Sequence, residues 1–192
     1  PSGWGLLPCR RFGIASAGTY ACRMPGESIF PTLEPLLEQV SKPIQYVGGE
    51  LNSTVKDWTV GGEHTVRWAL MYPDAYEVGV PNQGSMILYE VLNERPDALA
   101  ERTYSVWPDM EALMRAHAVP QFTVDGHRAL GDFDLFGLSF STELGYTNML
   151  TALDLGGIPL HAIDRDDTHP VVIAGGHDIG DHEDGLLAVA DD

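Results

Sequence analysis

The stretch that most constrains this fold is residues 67–84, RWALMYPDAYEVGVPNQG. Its apolar run Trp68-Ala69-Leu70-Met71-Tyr72 breaks at Pro73 into a polar loop from Asp74 to Gly79, and a helical pattern resumes at Ser85. A buried strand, a loop at its carboxyl end and then a helix is the opening unit of an α/β ligand-binding domain. Ligands in such folds sit at the carboxyl ends of the strands, so this loop is the first candidate site.

The same kind of unit recurs downstream. The spacing predicts a helix over residues 85–94, with Met86, Ile87, Val91 and either Tyr89 or Leu92 against the sheet and Pro96 ending it. Residues 102–107 are β-prone, and Pro108-Asp109 opens a helix carrying Met110, Leu113 and Met114 to near His117. Residues 121–124 read as a short edge strand and 134–140, DLFGLSF, as a buried one. A helix over 143–155 takes Leu144, Thr147, Met149, Leu150 and Leu153 as its apolar positions and stops at Gly156-Gly157. Residues 159–162 read as extended, and 171–174 as a buried strand ending at Gly175-Gly176. Short apolar strands separated by helices indicate an α/β domain, a mostly parallel sheet with helices on both faces. Its last strand and helix find no convincing sequence after residue 177, so the sheet is expected to be incomplete at the carboxyl end.

Charge narrows the partners. The 28 acidic against 11 basic residues give a net charge of −17 in a chain of 192 residues, room for one domain. Nucleic acid and anionic membrane are therefore not expected as main partners. No apolar run is long enough to cross a bilayer as a helix, and a cytoplasmic location is expected. Arg10-Arg11 faintly resembles a twin-arginine export signal, but Gly13, Ser16, Gly18 and Thr19 interrupt the apolar segment after it. Residues 1–23 contain arginines and no acid, and Met24 looks like a natural start. The expected division is a disordered or non-native extension (1–23), an amino-terminal helix (over 32–40) and connector (24–66), the α/β domain (67–177) and an acidic tail (178–192). Glycine pairs at 48–49 and 61–62 mark turns in the connector. Cys9 and Cys22 could pair as a disulfide or remain thiols, but two cysteines cannot hold an iron–sulfur cluster by themselves.

Three loops should converge at the carboxyl edge of the sheet: 74–79, 139–143 and 175–177. Asp74-x-Tyr76-x-x-Gly79 has the spacing of D-x-H-x-x-G with tyrosine in the histidine position. Ser139 follows a buried strand, and Gly175-Gly176 permits close backbone approach to a bulky ligand. Here the sequence resembles the cobalamin-binding domain, which implies a flavodoxin-like α/β fold; in that family the loop histidine is the lower cobalt ligand, oriented by the aspartate. In that family the serine and double glycine line the pocket for the nucleotide tail. The resemblance implies Asp74, Tyr76, Gly79, Ser139, Gly175 and Gly176 as cofactor-binding residues. Neutral imidazole ligates cobalt at pH 7, whereas a phenol with a pKa near 10 must first lose its proton. Either cobalamin binds without a protein ligand, or the fold serves another purpose. Turn chemistry after a strand is the alternative reading of Asp74 and Gly79, and loop packing that of Tyr76.

A wider resemblance is carried by YVGGELNSTVKDW (46–58), ALMYPDAYEVGVPNQG (69–84), ILYEVLN (87–93), LAERTYSVWPDMEALMR (99–115), DLFGLSFSTELGYTNML (134–150) and VVIAGGH (171–177). These blocks look like the amino-terminal part of a bacterial radical S-adenosylmethionine protein family. The family has a cobalamin-binding-like domain followed by a radical domain. That resemblance implies a four-iron, four-sulfur cluster held by C-x-x-x-C-x-x-C, reductive cleavage of S-adenosylmethionine, and the downstream radical domain as partner. The motif is not in these 192 residues, so catalysis is not expected of this chain alone. The match lapses after His177, which a frameshift or truncation would explain.

Weaker signals have bland alternatives. Trp107-Pro108-Asp109 is similar to the acid loop of tyrosine phosphatases, without their nucleophile loop; a helix start explains it. His177, Asp178, Asp181, His182 and Glu183 could be drawn as a metal cluster or left as a solvated tail. His64, His117, His127, His161 and His169 read as surface or loop residues. Glu143, Tyr146 and Asn148 could face the cleft or cap a helix. The expected function is a cobalamin-binding-like amino-terminal module of a radical enzyme. The alternatives are a scaffold module without cobalamin and a truncated, non-functional fragment.

Overall fold

In the computed structural model, which describes residues 23–176, the apolar run at 68–72 lies inside a longer strand, β1 (Val66–Ala75). β1 continues through Pro73 because the ladder is irregular there. Tyr72 pairs with Tyr104 but Ala75 with Ser105, leaving Pro73 and Asp74 as a bulge where no proline N–H is needed. The other strands are β2 (Ala98–Ser105), β3 (Leu135–Phe140) and β4 (Val171–Gly176). All pair in parallel, in the order β2-β1-β3-β4. That is the flavodoxin-like order through its fourth strand. The region expected to be incomplete, after His177, lies outside the described residues, as do residues 1–22.

Five helices accompany the sheet among the described residues: α1 (Phe30–Leu37), α2 (Tyr76–Gly79), α3 (Gln83–Glu94), α4 (Pro108–His117) and α5 (Gly145–Leu155). α3 starts where Asn82 Oδ1 accepts the Ser85 N–H. α4 begins at Pro108 with Asp109 and Glu111 in its first turn and Arg115 and His117 in its last, the arrangement that suits the helix dipole. α5 closes in a Schellman turn. Gly157 is left-handed (φ 68°), its N–H bonds to Asp154 O, and Ile158 N–H bonds to Leu153 O.

Both faces of the sheet are covered, and the core is layered. α5 packs on one face, over Ala69, Met71, Phe136, Leu138 and Phe140. α3 covers β1 and β2 on the other, over Leu70 and Ala100. α1 and α4 form a further cluster with Tyr46 and Phe122.

Several expected details shift. α5 does not bury Leu144, Thr147 or Leu150, which are exposed; it buries Gly145, Met149, Ala152 and Leu153. The stripe turns because Gly145 brings the helix start against Pro73 and Phe140. On α3, Ile87 and Val91 are more than half exposed, and Ser85 and Tyr89 are the buried positions. β2 begins four residues earlier than its β-prone run suggested. Residues 121–124 form only an isolated bridge, Phe122 with Ala129, and 159–162 form no strand. α1 starts and ends earlier than expected, with Pro31 in its first turn.

The outer edge of β2 is the least expected feature. Its backbone groups are met by side chains and one loop N–H rather than by another strand. Asn93 both donates to Ala100 O and accepts from Ala100 N, and Asp125 accepts from Arg102 N. Lys56 donates to Ala98 O, Gln121 to Tyr104 O, and Val124 N–H to Arg102 O. An edge so occupied cannot template a further strand.

Candidate functional site at the carboxyl edge of the sheet

At the end of β1, Asp74 turns back on its own loop, its Oδ1 accepting from Ala75 N at 2.6 Å. Tyr76 opens α2 and packs edge-on against Tyr104, ring centroids 5.5 Å apart. Its hydroxyl donates to Glu50 Oε1 at 2.5 Å. Gly79 is where α2 meets that same ring: a Cβ there would stand 2.4 Å from Tyr104 Cδ1. Tyr76 and Gly79 are therefore organised towards β2, while Asp74 closes its own loop.

Glu50 belongs to a buried polar cluster centred on Arg102. The Arg102 guanidinium, 2% exposed, forks onto Asp125 (Nη2 to Oδ1 2.7 Å, Nε to Oδ2 3.2 Å) and reaches Glu50 Oε2 at 3.1 Å. It lies over the Tyr89 ring, 4.6 Å from the centroid. Ser53 bonds to Asp125, and Tyr89 OH exchanges hydrogen bonds with the backbone of Thr54. A second buried pair, Arg128 with Glu101, lies alongside, with Thr123 donating to Glu101. Burial, then the bond to Glu50 and its charge, push the Tyr76 phenol up to about 12. At neutral pH it is a protonated donor with its hydrogen already committed.

The other three predicted residues lie together on the far side of β1. Ser139 and Gly175 are register partners across β3 and β4, as are Phe140 and Gly176. A Cβ on Gly175 meets open space, whereas at Gly176 (φ 144°) it would collide with Phe140 O. The region between the two groups is filled. Gly145 abuts Pro73 and Phe140, and Asn148 Nδ2 donates to Pro73 O at 2.9 Å. The six residues thus form two clusters at one edge, with the start of α5 between them. Asn148 braces β1, and the Tyr146 ring leans on Phe140 at 4.9 Å.

The chemistry of the donors can be compared with the expected cofactors. A cobalt ligand at Tyr76 would need a phenolate and a free lone pair facing cobalt; burial and Glu50 oppose both. The residues do not fit a protein-ligated cobalamin. An iron–sulfur cluster of the three-cysteine kind does not fit a chain whose only cysteines are Cys9 and Cys22. Among the described residues no group of three or more His, Cys, Asp or Glu could hold a metal. The cluster drawn at 177–183 and the two cysteines lie outside the described residues. Asp109 acts structurally, its Oδ2 accepting from Ser41 N at 2.8 Å. His127 is a loop residue, as one expected alternative had it, but not a surface one: it is half-buried between Phe30 and Phe122, its Nε2 is 2.9 Å from Tyr46 O, and burial lowers its pKa. Arg23, last residue of the segment expected to be disordered, pairs with buried Asp132 at 2.6 Å.

Glu50, Arg102 and Asp125 were not singled out from sequence. One signal existed: Glu101-Arg102 sits within Ala98-Leu99-Ala100 and Thr103-Tyr104, a charged pair inside an otherwise strand-like run.

The all-parallel sheet with helices on both faces defines a flavodoxin-like α/β domain, with its loops gathered at the carboxyl edge. The sequence model of the family described as "Radical SAM proteins, N-terminal" matches residues 84–185, and the chain belongs to that family. No curated protein and no solved structure matches the chain. No helix among the described residues is long and apolar enough to cross a membrane.

Proposed function

We propose that this domain is the amino-terminal module of a bacterial, cytoplasmic radical S-adenosylmethionine iron–sulfur enzyme, and that its carboxyl-edge loops form a wall of the substrate site above a downstream radical domain. In this reading the module is a scaffold and Tyr76 is not a cobalt ligand. The observation that carries it is the Tyr76–Glu50–Arg102 chain, which uses the loop tyrosine as a structural donor. Family membership supports the association with a radical domain. The cluster and S-adenosylmethionine belong, in this proposal, to that downstream domain. The DNA beyond the last codon provides the test: a frame encoding C-x-x-x-C-x-x-C within a few hundred bases is expected, and its absence in every frame overturns the reading.

A second reading keeps cobalamin in the module without a protein ligand. It is favoured by Ser139 and Gly175, which are adjacent at the edge, with open space beside Gly175. Retention of hydroxocobalamin through gel filtration, lost on Gly175→Trp, supports this second reading. No retention by folded protein excludes it.

A further inference from the structure

We infer that one internal water molecule is bound beneath α2, bridging Gln45 and Ser105, and that it is part of the folded structure. A cavity of about 10 Å³ lies at the carboxyl end of β2, lined by Gln45, Tyr46, Tyr76, Tyr104, Ser105 and Gln121 among others. That volume is the space of a single water. Two of its lining residues carry a buried polar atom without a hydrogen-bond partner, Gln45 Oε1 and Ser105 Oγ. Gln45 is only 2% exposed, so bulk solvent does not serve its oxygen.

The orientation of the Gln45 amide is fixed independently. Its Nε2 donates to Glu77 Oε2 at 2.7 Å, while Lys42 holds the other oxygen of that carboxylate at 2.9 Å. Flipping the amide would set its oxygen against a carboxylate, so Oε1 remains the orphan acceptor. A water donates one hydrogen to Oε1 and either donates to or accepts from the Ser105 hydroxyl, satisfying both atoms. It also joins the 310 turn Pro43–Tyr46 to the end of β2. Most of the wall is apolar, so the two unpartnered oxygens are the groups that would hold a water there.

A crystal structure of the purified chain, repeated under xenon pressure, is the test. The expected result is a density peak within about 2.7–3.2 Å of both Gln45 Oε1 and Ser105 Oγ, with no xenon in the cavity. Ser105→Val, which removes the hydroxyl and fills the space, should lose the peak while the Gln45–Glu77 bond persists. No peak in the wild type, or xenon in its place, overturns the inference.

Discussion

Arg102 shows how a charge is kept inside this domain. Its fork is closed by Asp125, its remaining edge by Glu50, and its face by the Tyr89 ring. Replacing it with methionine leaves two carboxylates buried without a counter-charge, one of them with a fully covered side chain. Arg102→Met should therefore destabilise the fold by about 3–5 kcal/mol, read from the urea midpoint at constant slope. His127 operates in the opposite sense. Its folded pKa lies below the usual 6.5 because burial disfavours the imidazolium. Below that value the unfolded chain binds more protons than the folded one. Its contribution is full above pH 6.5 and is lost as pH falls through the folded value. Stability should decline on acidification from pH 6.5, and His127→Asn, which tolerates the left-handed backbone there (φ 51°), should flatten that part of the profile.

At the scale of elements, the β1 loop is positioned by how closely α2 sits on β2. Gly79→Ala drives a methyl group into the Tyr104 ring and should cost roughly 1–3 kcal/mol, seen as a lowered urea midpoint. Gly175→Ala meets nothing and should be close to neutral in the same assay. The contrast separates a glycine required by packing from one that leaves room at the edge. Element types were legible from residue patterns: the parallel strands, the helices between them, and the glycine stop of α5. Phases were less so. Nothing in the order of residues announces that Gly145 lets α5 settle on Pro73, which rotates Leu144 and Leu150 to solvent. Nor does the β-prone run, which starts at Arg102, extend back to Glu101, whose charge argues against a strand. Their charges are neutralised by Arg128 and Asp125, more than twenty residues away in sequence.

For the molecule as a whole, the strand order gives a flavodoxin-like α/β fold, and the family is that of the amino-terminal part of radical SAM proteins. The loop spacing located the carboxyl edge but not the division within it. Sequence alone cannot show that Tyr76 turns to Glu50, because Glu50 comes from the connector and joins the loop only through folding. The account rests on Tyr76 being a structural donor rather than a cobalt ligand. The most direct measurement is the visible spectrum of the protein after incubation with hydroxocobalamin and gel filtration, for wild type and Tyr76→Phe side by side. The account predicts identical spectra and identical corrinoid retention for the two. A cobalt band shifted in the wild type and restored to the free position in a folded Tyr76→Phe protein would contradict it.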